Sequence, residues 1–176
     1  GSFFKMNKLA IKARRQGYKA RSVYKLFKIN KKFKLIKRGD SVLDLGCYPG
    51  SWLQACFKFR ADVTGVDIKK MSSVNAEFIR SDIMDDKLFE KLQMYDVVLS
   101  DVAPNTMGDR EVDQYKSYKL STRSFEIAKR CLNINGNFLV KTFQSSDSAE
   151  LVKEIKKCFK IVKIFKPVSR RRQKIF

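Results

Sequence analysis

The 176-residue chain contains no histidine, and this absence limits the chemistry that it can perform. Serine or cysteine nucleophiles paired with histidine are excluded, and so are most zinc sites. The chain has no run of about 18 apolar residues, so the sequence predicts no membrane span. Its four cysteines show no C-x-x-C spacing, which favours reduced, partly buried thiols in a cytosol-like compartment.

Acidic residues are scarce at both ends of the chain. The net charge is +20, and residues 1–40 hold 14 lysines and arginines against one acid, while residues 153–176 hold 10 against one. A near-neutral middle between two basic ends is typical of a catalytic domain flanked by polyanion-binding segments. A general lysine bias is the alternative explanation, but it does not account for the segregation of the charge.

Residues 40–52 combine a short apolar run, a glycine turn and a helix start. The apolar run 42–45 is typical of a buried parallel strand, and Ser51 is expected to cap the helix that follows. Glycines let a ligand approach the backbone N–H groups of such a turn. The spacing Gly46-x-x-x-Gly50 differs from the three-glycine turn of dinucleotide sites and suits S-adenosylmethionine, which has no pyrophosphate. An ordinary strand, turn and helix is the alternative.

Strand-like and helix-like segments alternate along the chain. This order predicts an α/β protein with a doubly wound, mostly parallel, Rossmann-like sheet and helices on both faces. A single domain is expected over 1–176, with a basic arm and helix at 1–40, a cofactor-binding and catalytic core at 41–166 and a basic tail at 167–176. The expected strands are 41–45, 62–66, 76–79, 95–101, 138–143 and 161–165; the expected helices are 21–30, 52–59, 85–93, 112–132 and 147–158; Asn135-Gly136 is an expected turn.

Acidic residues follow three of the expected strands. Asp67 closes the second, Asp82 follows the third and Asp101 ends the fourth. The carboxyl ends of parallel strands meet at one edge of a sheet, where ligands bind, and Asp67 is suited to accept hydrogen bonds from ribose hydroxyls. Lys141 lies inside an apolar strand, which is costly unless the amine is paired or unprotonated. Two environments of Lys141 remain open: it pairs with Asp101, or it lies at an exposed end of the strand.

Six segments carry a resemblance to a known family, and the fourth and fifth are the most specific. They are Ala20-Arg-Ser-Val-Tyr-Lys-Leu26, Leu43-Asp-Leu-Gly-Cys-Tyr-Pro-Gly-Ser-Trp52, Gly65-Val-Asp67, Ser100-Asp-Val-Ala-Pro-Asn105, Val140-Lys-Thr-Phe-Gln144 and Lys166-Pro167 with Ser169-Arg170. On these residues the chain resembles the FtsJ/RrmJ-type 2′-O-ribose RNA methyltransferases over nearly its whole length.

The resemblance implies a catalytic group made of Lys25, Asp101 and Lys141. Lys141 would deprotonate the ribose 2′-hydroxyl or hold it in its reactive state, which requires a neutral amine. Asp101 would orient that amine, and Lys25 would position the ribose or a nearby phosphate. Because methyl transfer is an in-line reaction, positioning should supply much of the rate.

The resemblance also implies S-adenosylmethionine as the cofactor and assigns its contacts. With the turn glycine, the cofactor-binding residues are Gly46, Gly50, Trp52, Asp67, Asp82 and Asp101. Asp82 would lie near the adenine amine and Asp67 near the ribose. The expected RNA-binding residues are Arg21, Lys25, Arg170, Arg171 and Arg172, and no metal site is expected.

The implied substrate is a uridine of large-subunit ribosomal RNA, and the implied partner is that RNA or the large ribosomal subunit. A monomer in the cytoplasm, or in an organelle, is expected, with no membrane association. The alternatives are a tRNA or mRNA-cap 2′-O-methyltransferase and a non-catalytic RNA-binding factor of ribosome assembly. A nicotinamide-dependent oxidoreductase is disfavoured by the glycine spacing and the basic ends.

The chain departs from the family pattern near its end. The family's fourth catalytic residue is a glutamate at the start of the last strand, after the Lys-Pro segment. No acid occurs between Lys166 and Phe176. The glutamate and the last strand are therefore expected to lie beyond Phe176, and the last strand of the sheet is expected to be missing.

Overall fold

The computed structural model describes residues 2–71, 75–165 and 174–176. The helices are α1 Ser2–Arg15, α2 Ser22–Phe33, α3 Ser51–Lys58, α4 Arg110–Cys131 and α5 Ser146–Cys158, with a 3-10 helix at Asp86–Lys91. The strands are β1 Ser41–Leu45, β2 Asp62–Asp67, β3 Glu77–Arg80, β4 Tyr95–Ser100, β5 Leu132–Val140, β6 Thr142–Phe143 and β7 Lys174–Ile175.

Five parallel strands form a sheet in the order β3-β2-β1-β4-β5. In the register of the central strand, Val42 pairs with Val63 of β2 on one side and with Val97 of β4 on the other. Both faces of β1 are buried, which explains its nearly continuous apolar run. The chain leaves β1 toward β2 and later returns to β4, so the strand order reverses beside β1. Ligands of open α/β sheets bind at such a point. The predicted α/β fold is confirmed.

Helices cover both faces of this sheet. On one face, α2 and α3 bury Leu26 and Leu53 against the strands, and the indole N–H of Trp52 donates a hydrogen bond to the Ser22 carbonyl at 3.0 Å. On the other face, α4 buries Ile127 against Leu43 and its neighbours. The core therefore has two layers, and the sheet edge above β1 and β4 lies between them.

Three predicted elements differ in the structure. The expected helix at 85–93 is a 3-10 helix of six residues, and residues 161–165 form no strand. At the end of that segment the Phe165 backbone pairs with Phe176, accepting from its N–H at 3.0 Å and donating to its carbonyl at 2.9 Å. The expected Asn135-Gly136 turn lies inside β5, where Asn135 has a left-handed φ of 67° and the pairing with β4 shifts register. The two turn-forming residues therefore produce an irregularity within a strand, and not a turn between two elements.

The end of the chain also differs from the expectation of a missing last strand. Lys174 and Ile175 form β7, which pairs antiparallel with β6. In that pairing Ile175 lies opposite Thr142, and both Ile175 and Phe176 are buried. A strand is therefore present near the end of the described residues, where it pairs with β6 and lies outside the five-stranded sheet. Residues 167–173 of the basic tail lie outside the described residues.

Candidate active site

Lys141 and Asp101 form an ion pair at the carboxyl edge of the sheet. Asp101 follows β4, and Lys141 separates β5 from β6. The Lys141 Nζ lies 2.5 Å from Asp101 Oδ1, and the two side chains are 11% and 25% exposed. The sequence left a paired and an exposed lysine open, and the structure has the pair. A lysine this deeply enclosed is tolerated because a carboxylate compensates its charge.

Serines hold the backbone at this pair. The backbone N–H of Lys141 donates to the Ser100 carbonyl at 3.0 Å, and the Ser121 hydroxyl of α4 donates to the Lys141 carbonyl at 3.0 Å. One turn further along α4, the hydroxyls of Ser124 and Ser100 lie 2.7 Å apart. The sequence analysis missed this support, although Ser117, Ser121 and Ser124 recur at helical spacing and are all buried.

The glycine turn between β1 and α3 has the backbone that its sequence suggested. Gly46 and Gly50 have φ values of 75° and 114°, which favour glycine. A Cβ on Gly46 would lie 2.8 Å from the Val102 Cα, so the turn packs closely on the loop after β4. The predicted Ser51 cap is wrong: Gly50 is the N-cap, without a side-chain cap, and the Ser51 hydroxyl lies 2.7 Å from that of Ser22. The first N–H groups of α3 therefore have no side-chain acceptor from the cap residue.

The predicted acids lie at the ends of neighbouring strands. Asp67 ends β2 and accepts hydrogen bonds from the backbone N–H groups of Tyr48 and Lys69, each at 2.9 Å. Asp82 follows β3, is exposed, and accepts from the Met84 N–H at 2.9 Å. The Tyr48 contact ties Asp67 directly to the glycine turn. Strands β2 to β4 thus bring Asp67, Asp82 and Asp101 to the edge of the sheet that carries the glycine turn, whereas Trp52 lies on α3.

A further carboxyl group, Asp44 of β1, was missed in the sequence analysis. It is fully buried, and neither of its oxygens has a hydrogen-bond partner among the described residues. Burial, and then the charges of Asp101 and Asp67, raise the pKa of Asp44 well above its ordinary value. The sequence feature that could have identified Asp44 is an acid inside an apolar strand. A charged residue inside an apolar strand is also what drew attention to Lys141.

These groups suit the cofactor that the sequence suggested. S-adenosylmethionine carries a sulfonium and an ammonium charge, and Asp44, Asp67 and Asp101 surround the glycine turn with carboxyl groups. An unpartnered buried carboxyl group is also a site that a cation would stabilise. Trp52 fits less directly, because it is 4% exposed and its indole N–H already bonds to α2.

Lys25 lies on α2 and reaches toward the end of the chain. Its Nζ is 4.8 Å from the centroid of the Phe176 ring. Phe176 follows β7, whose Ile175 pairs with Thr142, the residue after Lys141. This chain of contacts brings Lys25 into the neighbourhood of the Lys141–Asp101 pair.

The other predicted RNA-binding residues are only partly described. Arg21 is exposed at the start of α2. Arg170, Arg171 and Arg172 lie outside the described residues. Because β7 begins at Lys174, the last strand of the described chain starts with a lysine and not with the glutamate of the family pattern.

The described residues contain neither a candidate membrane-spanning helix nor a candidate metal site. No helix there is long and apolar enough to cross a membrane. No group of three or more cysteine or acidic side chains in the same residues is arranged to hold a metal ion.

Known proteins resemble this chain over most of its length. The model of the FtsJ-like methyltransferase family matches residues 18–175. Ribosomal RNA large subunit methyltransferase E of Archaeoglobus fulgidus is 41% identical over 167 residues, which cover 92% of this chain and 87% of the relative. The protein of the same name from Brachyspira hyodysenteriae is 42% identical over 166 residues, or 91% of this chain and 86% of the relative.

A solved structure agrees with these relatives. The crystal structure of a Plasmodium falciparum protein described as a ribosomal RNA methyltransferase has a TM-score of 0.77 and 28% sequence identity, and the match covers 90% of this chain and 95% of that chain. A family model that spans most of the chain and relatives above 40% identity point the same way. The chain belongs to the FtsJ-like methyltransferase family.

Proposed function

We propose that the protein transfers a methyl group from S-adenosylmethionine to a ribose 2′-hydroxyl of RNA, with a uridine of large-subunit ribosomal RNA as the target. The proposal rests above all on the ion pair beside the glycine turn, in which Lys141 Nζ lies 2.5 Å from Asp101 Oδ1. The names of the relatives support ribosomal RNA as the substrate. A methyltransferase needs a methyl donor, and the carboxyl groups around the turn suit a cationic one.

The roles of the side chains follow from their chemistry. When bound, S-adenosylmethionine supplies the methyl group, and its sulfur keeps the electron pair of the broken C–S bond. The 2′-hydroxyl must lose its proton as the new O–C bond forms, and the Lys141 amine is the group placed to receive it. Asp101 fixes the direction of that amine. Lys25 positions the ribose or a neighbouring phosphate, and Arg21 and Arg170–Arg172 contact the RNA backbone.

The decisive experiment measures transfer of labelled methyl groups to large ribosomal subunits, free ribosomal RNA and tRNA. Wild type should label a ribose 2′-oxygen of large-subunit RNA. Lys141→Ala should lower kcat by about 10²- to 10⁴-fold, the usual contribution of a positioned acid or base. Lys91→Ala removes an exposed lysine of the 3-10 helix and should leave the rate unchanged. Equilibrium dialysis with labelled S-adenosylmethionine measures cofactor binding in each variant.

One observation favours a second candidate function. β7 begins with Lys174, so the described chain lacks a carboxylate at the start of its last strand. A non-catalytic RNA-binding factor of ribosome assembly would tolerate that change. No methyl transfer to any of the three RNAs, with RNA binding intact, would favour this factor, whereas labelled tRNA would favour the tRNA enzyme.

A further inference from the structure

We propose that α1 is an RNA-docking surface that binds the phosphate backbone of RNA away from the target nucleotide. The identity of the polyanion as RNA rests on the proposed function. Helix α1 precedes residue 18, where the match to the family model begins. Its sequence contains no acidic residue.

The cations of α1 lie in a row on one face. Lys5, Lys8, Lys12 and Arg15 are exposed, and they recur at intervals of three, four and three residues. Residues at these spacings project from the same side of a helix. Ten residues of helix rise about 15 Å, a length that spans several nucleotides of an RNA strand.

Folding does not explain this row. Like charges three or four residues apart destabilise a helix by about 0.2 to 0.5 kcal/mol for each pair. Among the α1 side chains that the structure describes, only Ala13 is buried, and the four cations all lie in solvent. A row of like charges on an exposed helix face is better explained by an anionic partner.

Part of the row lines a shallow cavity on the surface. A cavity of about 430 Å³ lies on α1 and is lined by Lys8, Ile11, Lys12, Arg15 and Gln16. Three of these five residues are cationic, which suits a phosphate more than an apolar ligand. On the described part of α1, the exposed large apolar side chains are Leu9 and Ile11, at 41% and 52%. The four cations of the row are more numerous than these two, so the charge favours RNA as the partner.

Contacts between α1 and α2 hold this surface in place. The Tyr24 hydroxyl of α2 donates to Gln16 Oε1 at 2.5 Å, and Lys12 Nζ lies 4.9 Å from the Tyr24 ring centroid. Tyr24 immediately precedes Lys25. RNA held on α1 would therefore lie in a defined relation to the candidate active site, which is how a remote contact improves positioning.

The test compares two triple variants that each remove three positive charges. The docking variant is Lys5→Gln, Lys8→Gln and Arg15→Gln, and it keeps Lys12 because that side chain contacts Tyr24. The control is Lys153→Gln, Lys156→Gln and Lys160→Gln, three exposed residues on and just after α5. Thermal unfolding of both variants verifies that they fold.

Binding is measured by fluorescence anisotropy without a methyl donor, on oligouridylates of about 8 and about 40 nucleotides; the first is within, and the second well above, the roughly 4 to 16 nucleotides that single-strand binders usually cover. The docking variant should bind the long RNA about 10-fold more weakly. The slope of log K against log salt should become shallower by about 2, since each lost phosphate contact removes about 0.7. The short RNA, and the control variant with either RNA, should change by less than about 2-fold.

Equal weakening by both triple variants would indicate a general charge effect and overturn the proposal. So would unchanged binding of the long RNA by the docking variant. Loss of binding to phosphatidylserine vesicles, with RNA binding retained, would assign α1 to a membrane surface instead. This binding assay measures no methyl transfer. Its outcome is therefore independent of the methyl-transfer assay, and failure of the docking proposal can be distinguished from failure of the proposed reaction.

Discussion

At the scale of single residues, Asp44 is the group whose environment differs most from water. It is fully buried between β2 and β4, and its pKa is raised first by burial and then by Asp101 and Asp67. The folded protein therefore keeps the Asp44 proton to a higher pH than the unfolded chain does. It follows that this group stabilises the fold most at low pH, and that this stability is lost as pH rises above about 4 through the native pKa.

Asp44→Asn should remove this pH dependence, because the amide has the same shape and carries no charge. We expect the variant to approach wild type near pH 4 and, at high pH, to gain about 1.4 kcal/mol for each unit by which folding raises the pKa of Asp44. Urea unfolding of both proteins between pH 4 and pH 9 measures the difference. Stability curves that run parallel over this range would contradict the assigned environment of Asp44.

At the scale of elements, the turn between β1 and α3 is set by a close approach. Gly46 has a positive φ, and a Cβ there would meet the Val102 backbone at 2.8 Å. Gly39 also has a positive φ, 84°, but nothing lies within 4 Å of its Cβ position. Alanine substitutions at Gly39 and Gly46 therefore distinguish the cost of backbone strain alone from the added cost of a steric clash.

Gly39→Ala should lower the free energy of unfolding by about 1 to 2 kcal/mol, the cost of a left-handed backbone with a side chain. Gly46→Ala should cost about 1 to 3 kcal/mol more, because the loop after β4 must move as it does around an overpacked core. It should also weaken cofactor binding, which Gly39→Ala should not. Urea unfolding measures the stability, and equilibrium dialysis with labelled S-adenosylmethionine measures cofactor binding. Equal costs for both variants would show that the turn and the loop do not touch.

At the scale of the whole molecule, we propose that residues 1–176 fold as a single domain. Its thiols provide a test, since Cys47, Cys56 and Cys131 are buried and Cys158 is exposed. Burial raises the pKa of each of the three buried thiols, so both access and ionisation protect them.

A thiol reagent at neutral pH should modify Cys158 rapidly and the three buried cysteines together, at least about 10³-fold more slowly, on global unfolding. The time course of released chromophore counts the fast and slow thiols, and Cys158→Ser should abolish the fast phase. Separate rates for Cys47 and Cys56 on one face of the sheet and Cys131 on the other would indicate independent opening of the two layers.

The sequence alone was sufficient for the order of most elements and for the residues at the sheet edge. Short apolar runs between glycine turns and helical patterns have strong local periods, so β1, β2 and β4 begin at or close to the predicted residues. Acids placed at strand ends are also local signals. Asp67 and Asp101 therefore follow from the sequence, once the strands are parallel.

Only the tertiary structure decided which charged groups meet and how the chain ends. Lys141 and Asp101 are 40 positions apart, and their pairing depends on β4 lying beside β5. The full burial of Asp44 depends on both neighbours of β1. A strand at the end of a chain has weak local signals and exists only through its partner. Residues 161–165 have the local pattern of a strand but form none. Lys174–Ile175 have little local pattern and form a strand because they pair with β6.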